Sequence, residues 1–184
     1  VGEKGGVVDW LARMIAPFFS RIFPGVPREH PANGHMVMNF SANMLGLDNA
    51  ATPFGLKAME SLQSLNKKPD EPTDAQIMFL VLQTSGLTVI PLSIMAQRAI
   101  LGAKDPSDIF IPTLIATFCS TLTAIIYVSI RQRINLLHRS VIGWLGGITA
   151  AIAGMVYYFH NYLTKPEIEL VSQVVSNLLL FSII

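Results

Sequence analysis

The sequence predicts an all-α, polytopic membrane protein with broken or re-entrant helices, and three observations carry that expectation. Hydrophobic residues make up 51% of the 184 and charged residues only 14%, where a soluble domain carries about 25% charge. Mean hydropathy is +0.48. The apolar runs are interrupted by Gly, Pro and short polar clusters, at Gly46 to Asn49, at Gln83 to Gly86 and at Pro91, and irregular backbone at bilayer depth has to be covered by protein. The net charge of +1 gives no reason to expect a nucleic-acid partner. A single cysteine, Cys119, excludes an internal disulfide and cysteine-rich metal sites.

Residues 6 to 23 read GVVDWLARMIAPFFSRIF, with Trp10, Met14, Phe18 and Ile22 at helical spacing and Arg13 and Arg21 away from them. This is the pattern of an amphipathic interfacial helix, bent at Pro17 and too short and charged to cross a bilayer. Pro24, Pro27 and Pro31 stiffen a loop carrying Arg28, Glu29 and His30, and Asn33-Gly34 is expected to cap the next helix.

That helix, roughly residues 34 to 47, carries Asn39 and Asn43 four apart on one face, with His35 one turn earlier. Gly46, Asp48 and Asn49 break it. Thr52 as N-cap and Pro53 at the first helical position then start a second helix, roughly 53 to 65. Neither is long enough to span. Two arrangements are open: a re-entrant hairpin with a protein-covered tip, or a pair of helices lying at the interface.

Asn66 to Pro72 is a polar linker, and Thr73 with Gln76 forms a capping box that opens the apolar stretch Ile77 to Leu101. Gln83-Thr84-Ser85-Gly86 lies near its middle, and Pro91 leaves the Leu87 carbonyl without its helical donor, so two half-helices are expected. Broken helices at bilayer depth line a site or cavity. The break is expected to face the turn at Asn49 to Thr52, whose side chains could satisfy its freed backbone.

Asp105 to Asp108 reads as another cap, starting a helix that runs to about Ile134 and crosses the bilayer between Ile109 and Ile130. Its Thr113, Thr117 and Thr121 are four apart with Ser120 alongside, a stripe that either packs against a neighbouring helix or lines a pathway. The next loop carries Arg131, Arg133 and Arg139, against one lysine and two aspartates in Gly102 to Asp108. The basic loop is therefore expected in the cytoplasm, together with Lys67 and Lys68. A further span follows from Val141 to about Phe159, with Tyr157, Tyr158 and Tyr162 as an aromatic belt, and a last helix begins near Pro166. The chain has no initiator Met and stops inside the apolar run Leu178 to Ile184, so a fragment truncated at both ends is expected.

Asn39, Asn43, Asn49, Thr52, Gln83, Thr84 and Ser85 form the candidate ligand-binding set. They supply neutral donors and acceptors, and the helix N-termini at Thr52 and Thr73 add partial positive charge, a combination suited to a polar neutral or anionic solute. The competing reading is that the asparagines cap helix ends and knit the hairpin to its neighbours. No catalytic residue, metal or cofactor is expected: His30, His35, His138 and His160 are scattered, and Cys119 has no base near it in sequence.

The block MVMNFSANMLGLDNAATPFGLKAMESLQSLN, residues 36 to 66, resembles the spore maturation protein A family of the nucleoside-recognition "gate" superfamily. Phe23-Pro24-Gly25-Val26-Pro27, Phe79 to Ser85 with Ile90-Pro91, Ala96 to Gly102, and Pro112 to Thr117 with Ser120-Thr121 support it, so the resemblance covers roughly residues 5 to 130. The family usually has Asn where Gln83 stands and a second Ser where Gly86 stands, and normally ends near residue 135. The resemblance implies residues 1-135 as a gate-like membrane domain of the bacterial cytoplasmic (inner) membrane. Residues 136-184 are then a linker transmembrane helix and, since Ser172 to Ile184 resembles its start, the beginning of a fused spore maturation protein B-like unit. Relatives in the superfamily include nucleoside permeases and the gate segments of ferrous-iron transporters. The implied function is gating or transport of a small polar solute such as a nucleoside, or alternatively a non-transporting scaffold that assembles with the B-like partner.

Overall fold

A computed structural model describes residues 7–162 apart from Ile90 and Ser107. The elements are α1 (Val7–Ile22), α2 (Pro31–Met44), α3 (Asp48–Gln63), α4 (Asp74–Ser85), α5 (Leu92–Ile100), α6 (Phe110–Gln132) and α7 (Arg139–Tyr162). No strand occurs among the described residues. The expected helix near Pro166 and the B-like segment Ser172 to Ile184 lie outside them.

The chain is built around the antiparallel hairpin of α2 and α3. His35 Nδ1 meets Ser61 Oγ at 2.9 Å near one end, and Asn39 Nδ2 donates to the Ala51 carbonyl at 2.7 Å near the other. The turn between the helices follows from glycine. Gly46 has φ +64°, its N–H donates to the Asn43 carbonyl at 3.0 Å, and Leu47 N–H donates to the Ala42 carbonyl at 2.9 Å, which is the double bond of a Schellman end.

Two expected helix starts move toward the N-terminus. The N-cap of α2 is His30, whose Nδ1 accepts from Ala32 N–H, with Pro31 at the first helical position; Asn33 and Gly34 are already helical. Asn33 is used elsewhere, donating from Nδ2 to the carbonyls of Pro27 and Arg28 at 2.7 and 3.2 Å. Likewise α3 begins at Asp48, so Thr52 is not its N-cap and Pro53 is interior. The Leu47 carbonyl takes the first helical bond from Ala51 N–H at 2.9 Å.

The buried stripe of α1 also differs from the expected one. Ile15, Phe18, Phe19, Ile22 and Phe23 are buried, whereas Met14 is 42% exposed. The cause is a two-sided environment: Phe19 packs edge-on to Phe40 of α2 at 5.3 Å, while Phe18 stacks on Trp144 of α7 at 4.1 Å. A helix held between two others buries a wider face than one resting on a flat surface.

The capping box at Thr73 forms with both reciprocal bonds, and Gln76 Nε2 reaches Gln63 Oε1 at 2.6 Å, tying the start of α4 to the end of α3. The long apolar stretch is two half-helices. Gly86 (φ +57°) ends α4, and α5 begins after Pro91. The backbone between them is paired: Val89 N–H donates to the Met44 carbonyl at 2.9 Å, Thr88 N–H to Thr117 Oγ1 of α6 at 3.3 Å, and Ser93 Oγ to the Gly46 carbonyl at 3.0 Å. The break thus meets the α2–α3 turn through the backbone of Met44 and Gly46.

α6 starts at Phe110, because Asp108 is engaged as the carboxylate partner of Arg98 at 2.7 Å and does not cap. It is the one helix among the described residues long and apolar enough to cross a membrane, and 33% of its most apolar 18-residue window is buried. In α7 the apolar stretch is the shorter Val141–Gly154. Thr117 and the buried Thr121 lie on the packed side of α6 while Ser120 is exposed, as in a stripe used for helix packing. Gln132 Nε2 donates to the Asp74 carbonyl at 2.7 Å, so α6 runs antiparallel to α4. Arg28, Lys67, Lys68, Arg131, Arg133 and Arg139 consequently gather at one end of the bundle.

Candidate functional site

Asn39, Asn43 and Gln83 are brought together by the hairpin and α4. Asn43 Nδ2 donates to Gln83 Oε1 at 3.0 Å and to Asn39 Oδ1 at 3.4 Å, and Asn39 Nδ2 donates to the Ala51 carbonyl at 2.7 Å. The direction of this chain is fixed by its last member. A carbonyl oxygen can only accept, so Asn39 must point its amino group at Ala51 and its oxygen at Asn43. Asn43 then donates onward to Gln83.

The consequence is an uneven distribution of spare valence. Asn39 is 1% exposed with both ends of its amide engaged. Asn43 and Gln83 are partly buried, and Asn43 Oδ1 and Gln83 Nε2 have no hydrogen-bond partner among the described residues. One acceptor and one two-proton donor are therefore left over on two hydrogen-bonded amides.

Gly55 allows the network to close. A Cβ at this position would stand 2.9 Å from Asn39 Nδ2 and 3.8 Å from Gln83 Nε2, so any side chain larger than hydrogen displaces Asn39. Sequence reasoning did not single out Gly55. Its signal was a glycine inside a helical pattern, which costs roughly 0.5–1 kcal/mol against Ala and so calls for a packing reason.

The other expected site residues lie elsewhere. Asn49 and Thr52 are exposed on the first turns of α3. Thr84 is exposed and bonds back to the Leu80 and Val81 carbonyls at 2.9 and 3.1 Å, and Ser85 bonds to the Leu82 carbonyl at 2.9 Å. These hydroxyls satisfy their own helix end and not the amide network. Thr88 and Thr117, which were not in the expected set, join the break to α6. No group of three or more His, Cys, Asp and Glu able to hold a metal occurs among the described residues.

The amide network lies partway along the bundle: counted from the basic end, Asn39 is eight residues into α2 and Gln83 nine into α4, roughly 12–14 Å at 1.5 Å per residue.

A family model described as Gate, nucleoside recognition, matches residues 1–103, a span that holds α1 to α5 and the whole network. Over 126 residues the chain is 43% identical to Spore maturation protein A of Bacillus subtilis (strain 168), an alignment covering 68% of this chain. The chain spans 64% of that relative's length. No solved structure matches it. On the family match and this identity, the chain belongs to the nucleoside-recognition Gate family, with spore maturation protein A as a relative.

Proposed function

We propose that this chain is a multi-pass gate unit of the bacterial inner membrane that binds a small polar solute at Asn43 and Gln83. The observation that carries the reading is the leftover acceptor and donor, Asn43 Oδ1 and Gln83 Nε2, on two different helices. A spare acceptor and a spare donor on two bonded amides can complement an amide or nucleobase edge, and a nucleoside is the solute class this favours. Asn39 holds the pair in place and is not itself available. Exposed apolar residues on α6 (Ile126, Tyr127, Ile130) and α4 (Ile77, Leu80) support lipid contact. The cluster of Lys and Arg at one end supports a cytoplasmic position for that end. Residues 1-135 are the gate unit, and 136-184 link it to a spore maturation protein B-like unit.

The test is equilibrium binding of a panel of labelled nucleosides to the purified chain in neutral detergent, beside the Asn43→Ala and Gln83→Ala variants. Saturable binding that each variant loses while the chain stays folded, with a melting temperature lowered by no more than the lost hydrogen bonds account for, is the expected result. A second reading, a scaffold that assembles with the B-like unit, is favoured by one observation: Asn39 is buried with both ends of its amide spent on bonds within the hairpin. That reading predicts no nucleoside binding, a lowered melting temperature in both variants, and co-elution with the partner that the variants lose. Orientation is tested separately with a cysteine at Asn135, which an impermeant reagent should not label from outside intact cells.

A further inference from the structure

The cavity between α1 and α2 has chemistry unlike that of the amide network. Its volume is about 670 Å³, within the range of small-molecule sites, and three arginines line it: Arg13 and Arg21 from α1 and Arg28 from the loop. No carboxylate lines it among the described residues. Two ion pairs occur among the described residues, Arg98 with Asp108 at 2.7 Å and Lys68 with Glu71 at 3.0 Å. The exposed guanidinium groups of Arg13, Arg21 and Arg28 take part in neither and have no hydrogen-bond partner among the described residues. Between them the wall is apolar, formed by Ala16, Pro17, Val37 and Met38.

The basic rim is held in position. Asn33 clamps the carbonyls of Pro27 and Arg28, and Val26 N–H bonds to the Phe23 carbonyl at 3.1 Å, so the loop bearing Arg28 is braced against the start of α2. Arg21 and Arg28 lie at the end of the bundle that carries the other Lys and Arg residues. Arg13 is two turns along α1, roughly 12 Å further at 1.5 Å per residue.

We infer that this groove binds the headgroup of an anionic phospholipid. Guanidinium groups form paired, charge-assisted hydrogen bonds to phosphate oxygens, and three of them around one groove with no carboxylate among its described lining residues favour an anion. The apolar wall between the arginines selects an amphiphile over a free ion: the glycerol and proximal acyl carbons lie along Ala16, Pro17, Val37 and Met38 while the phosphate meets Arg21 and Arg28. Arg13 lays its stem along the same wall and reaches toward the ester region. The site is separate from the solute network, although it rests on the proposed membrane placement.

Native mass spectrometry of the whole chain, purified in neutral detergent and titrated with phosphatidylglycerol or phosphatidylcholine, tests this. Retention of phosphatidylglycerol over phosphatidylcholine is expected, and the R13Q/R21Q/R28Q variant should lose it by about fivefold for each arginine neutralised. The R131Q/R133Q/R139Q variant removes as much charge from the same end and should keep the preference. Should the triple groove variant fail to fold, R28Q alone should lose about fivefold. Equal retention in groove variant and wild type, equal loss in the two triple variants, or displacement of the lipid by millimolar inorganic phosphate would each overturn the assignment. Alkaline extraction separates this from the membrane reading: release of the chain from membranes defeats that reading, whereas retention without lipid preference defeats only the groove.

Discussion

The two faces of α2 solve the problem of buried polarity in opposite ways. Toward α3 and α4 it presents Asn39 and Asn43, neutral amides whose hydrogen bonds diverge from Asn43, one branch running through Asn39 to the Ala51 carbonyl and the other to Gln83. Toward α1 its Asn33 braces a loop arginine at a groove whose three guanidinium groups are unpaired. A neutral network can be buried because each amide satisfies the next, at about 1 kcal/mol of net stabilisation per bond. Charges cannot be buried that way without carboxylate partners, so they stay at the rim of an open groove. On the two proposals above, internal satisfaction leaves the first face only a small remainder for ligand, whereas the second face takes its partner from outside the chain.

The largest effect is expected from breaking the network at its anchor. Asn39→Ala leaves the second lone pair of the Ala51 carbonyl and one Asn43 proton without partners, at about 1–3 kcal/mol each. Thermal unfolding in detergent should show a clear drop, with reduced folded protein in the membrane; an unchanged melting temperature would show that the network carries no structural load. Gly55→Ala comes next. Its Cβ must push Asn39 aside, costing about 1–3 kcal/mol as an overpacked core does, whereas an ordinary helical Gly→Ala would stabilise by about 0.5–1 kcal/mol. The sign of the change in melting temperature decides between them.

Gln83→Ala should cost less, about 1 kcal/mol or under, since only one of its amide atoms is engaged, yet it should abolish nucleoside binding. Loss of stability without loss of binding would place the solute elsewhere. The smallest effect belongs to the groove: R21Q/R28Q should stay within about 0.5 kcal/mol of wild type in lipid-free detergent, because no interaction is broken. A larger loss would mean that these arginines have structural partners and that the contrast between the two faces is false.

What was legible in the sequence was whatever local chemistry decides. Thr73 with Gln76 announced its capping box, and Gly86 with Pro91 announced the break, because a left-handed residue and a missing donor act within one turn. The i, i+4 spacing of Asn39 and Asn43 placed them on one face, and the polar interruption of an apolar run picked out Gln83. Thr52-Pro53 misled because the same dipeptide fits an N-cap or a helix interior one turn in; the Schellman turn at Gly46 settled it earlier in the chain. Thr84 and Ser85 looked available in sequence, but hydroxyls near a helix end have their own carbonyls within reach. Gly55 and the arginine groove were not legible, because each depends on a neighbour from another helix or loop.

The end of α6 has a consequence for how the chain enters its membrane. Gly46, Gly86 and Gly102 take the left-handed residue at three helix ends, yet the fourth, Arg133, adopts φ +55° with a side chain. Its N–H and that of Ile134 make the same pair of bonds to Ile130 and Ser129, at 3.3 and 2.9 Å. The conformation costs an L-residue roughly 1–2 kcal/mol that glycine avoids. Attraction of one cation to an anionic leaflet is worth about 1 kcal/mol, comparable in size, and acts while topology is being chosen. On the proposed orientation, Arg133→Gly should raise the melting temperature of the finished fold while increasing the fraction of chains inserted upside down, so this residue trades fidelity of insertion against equilibrium stability.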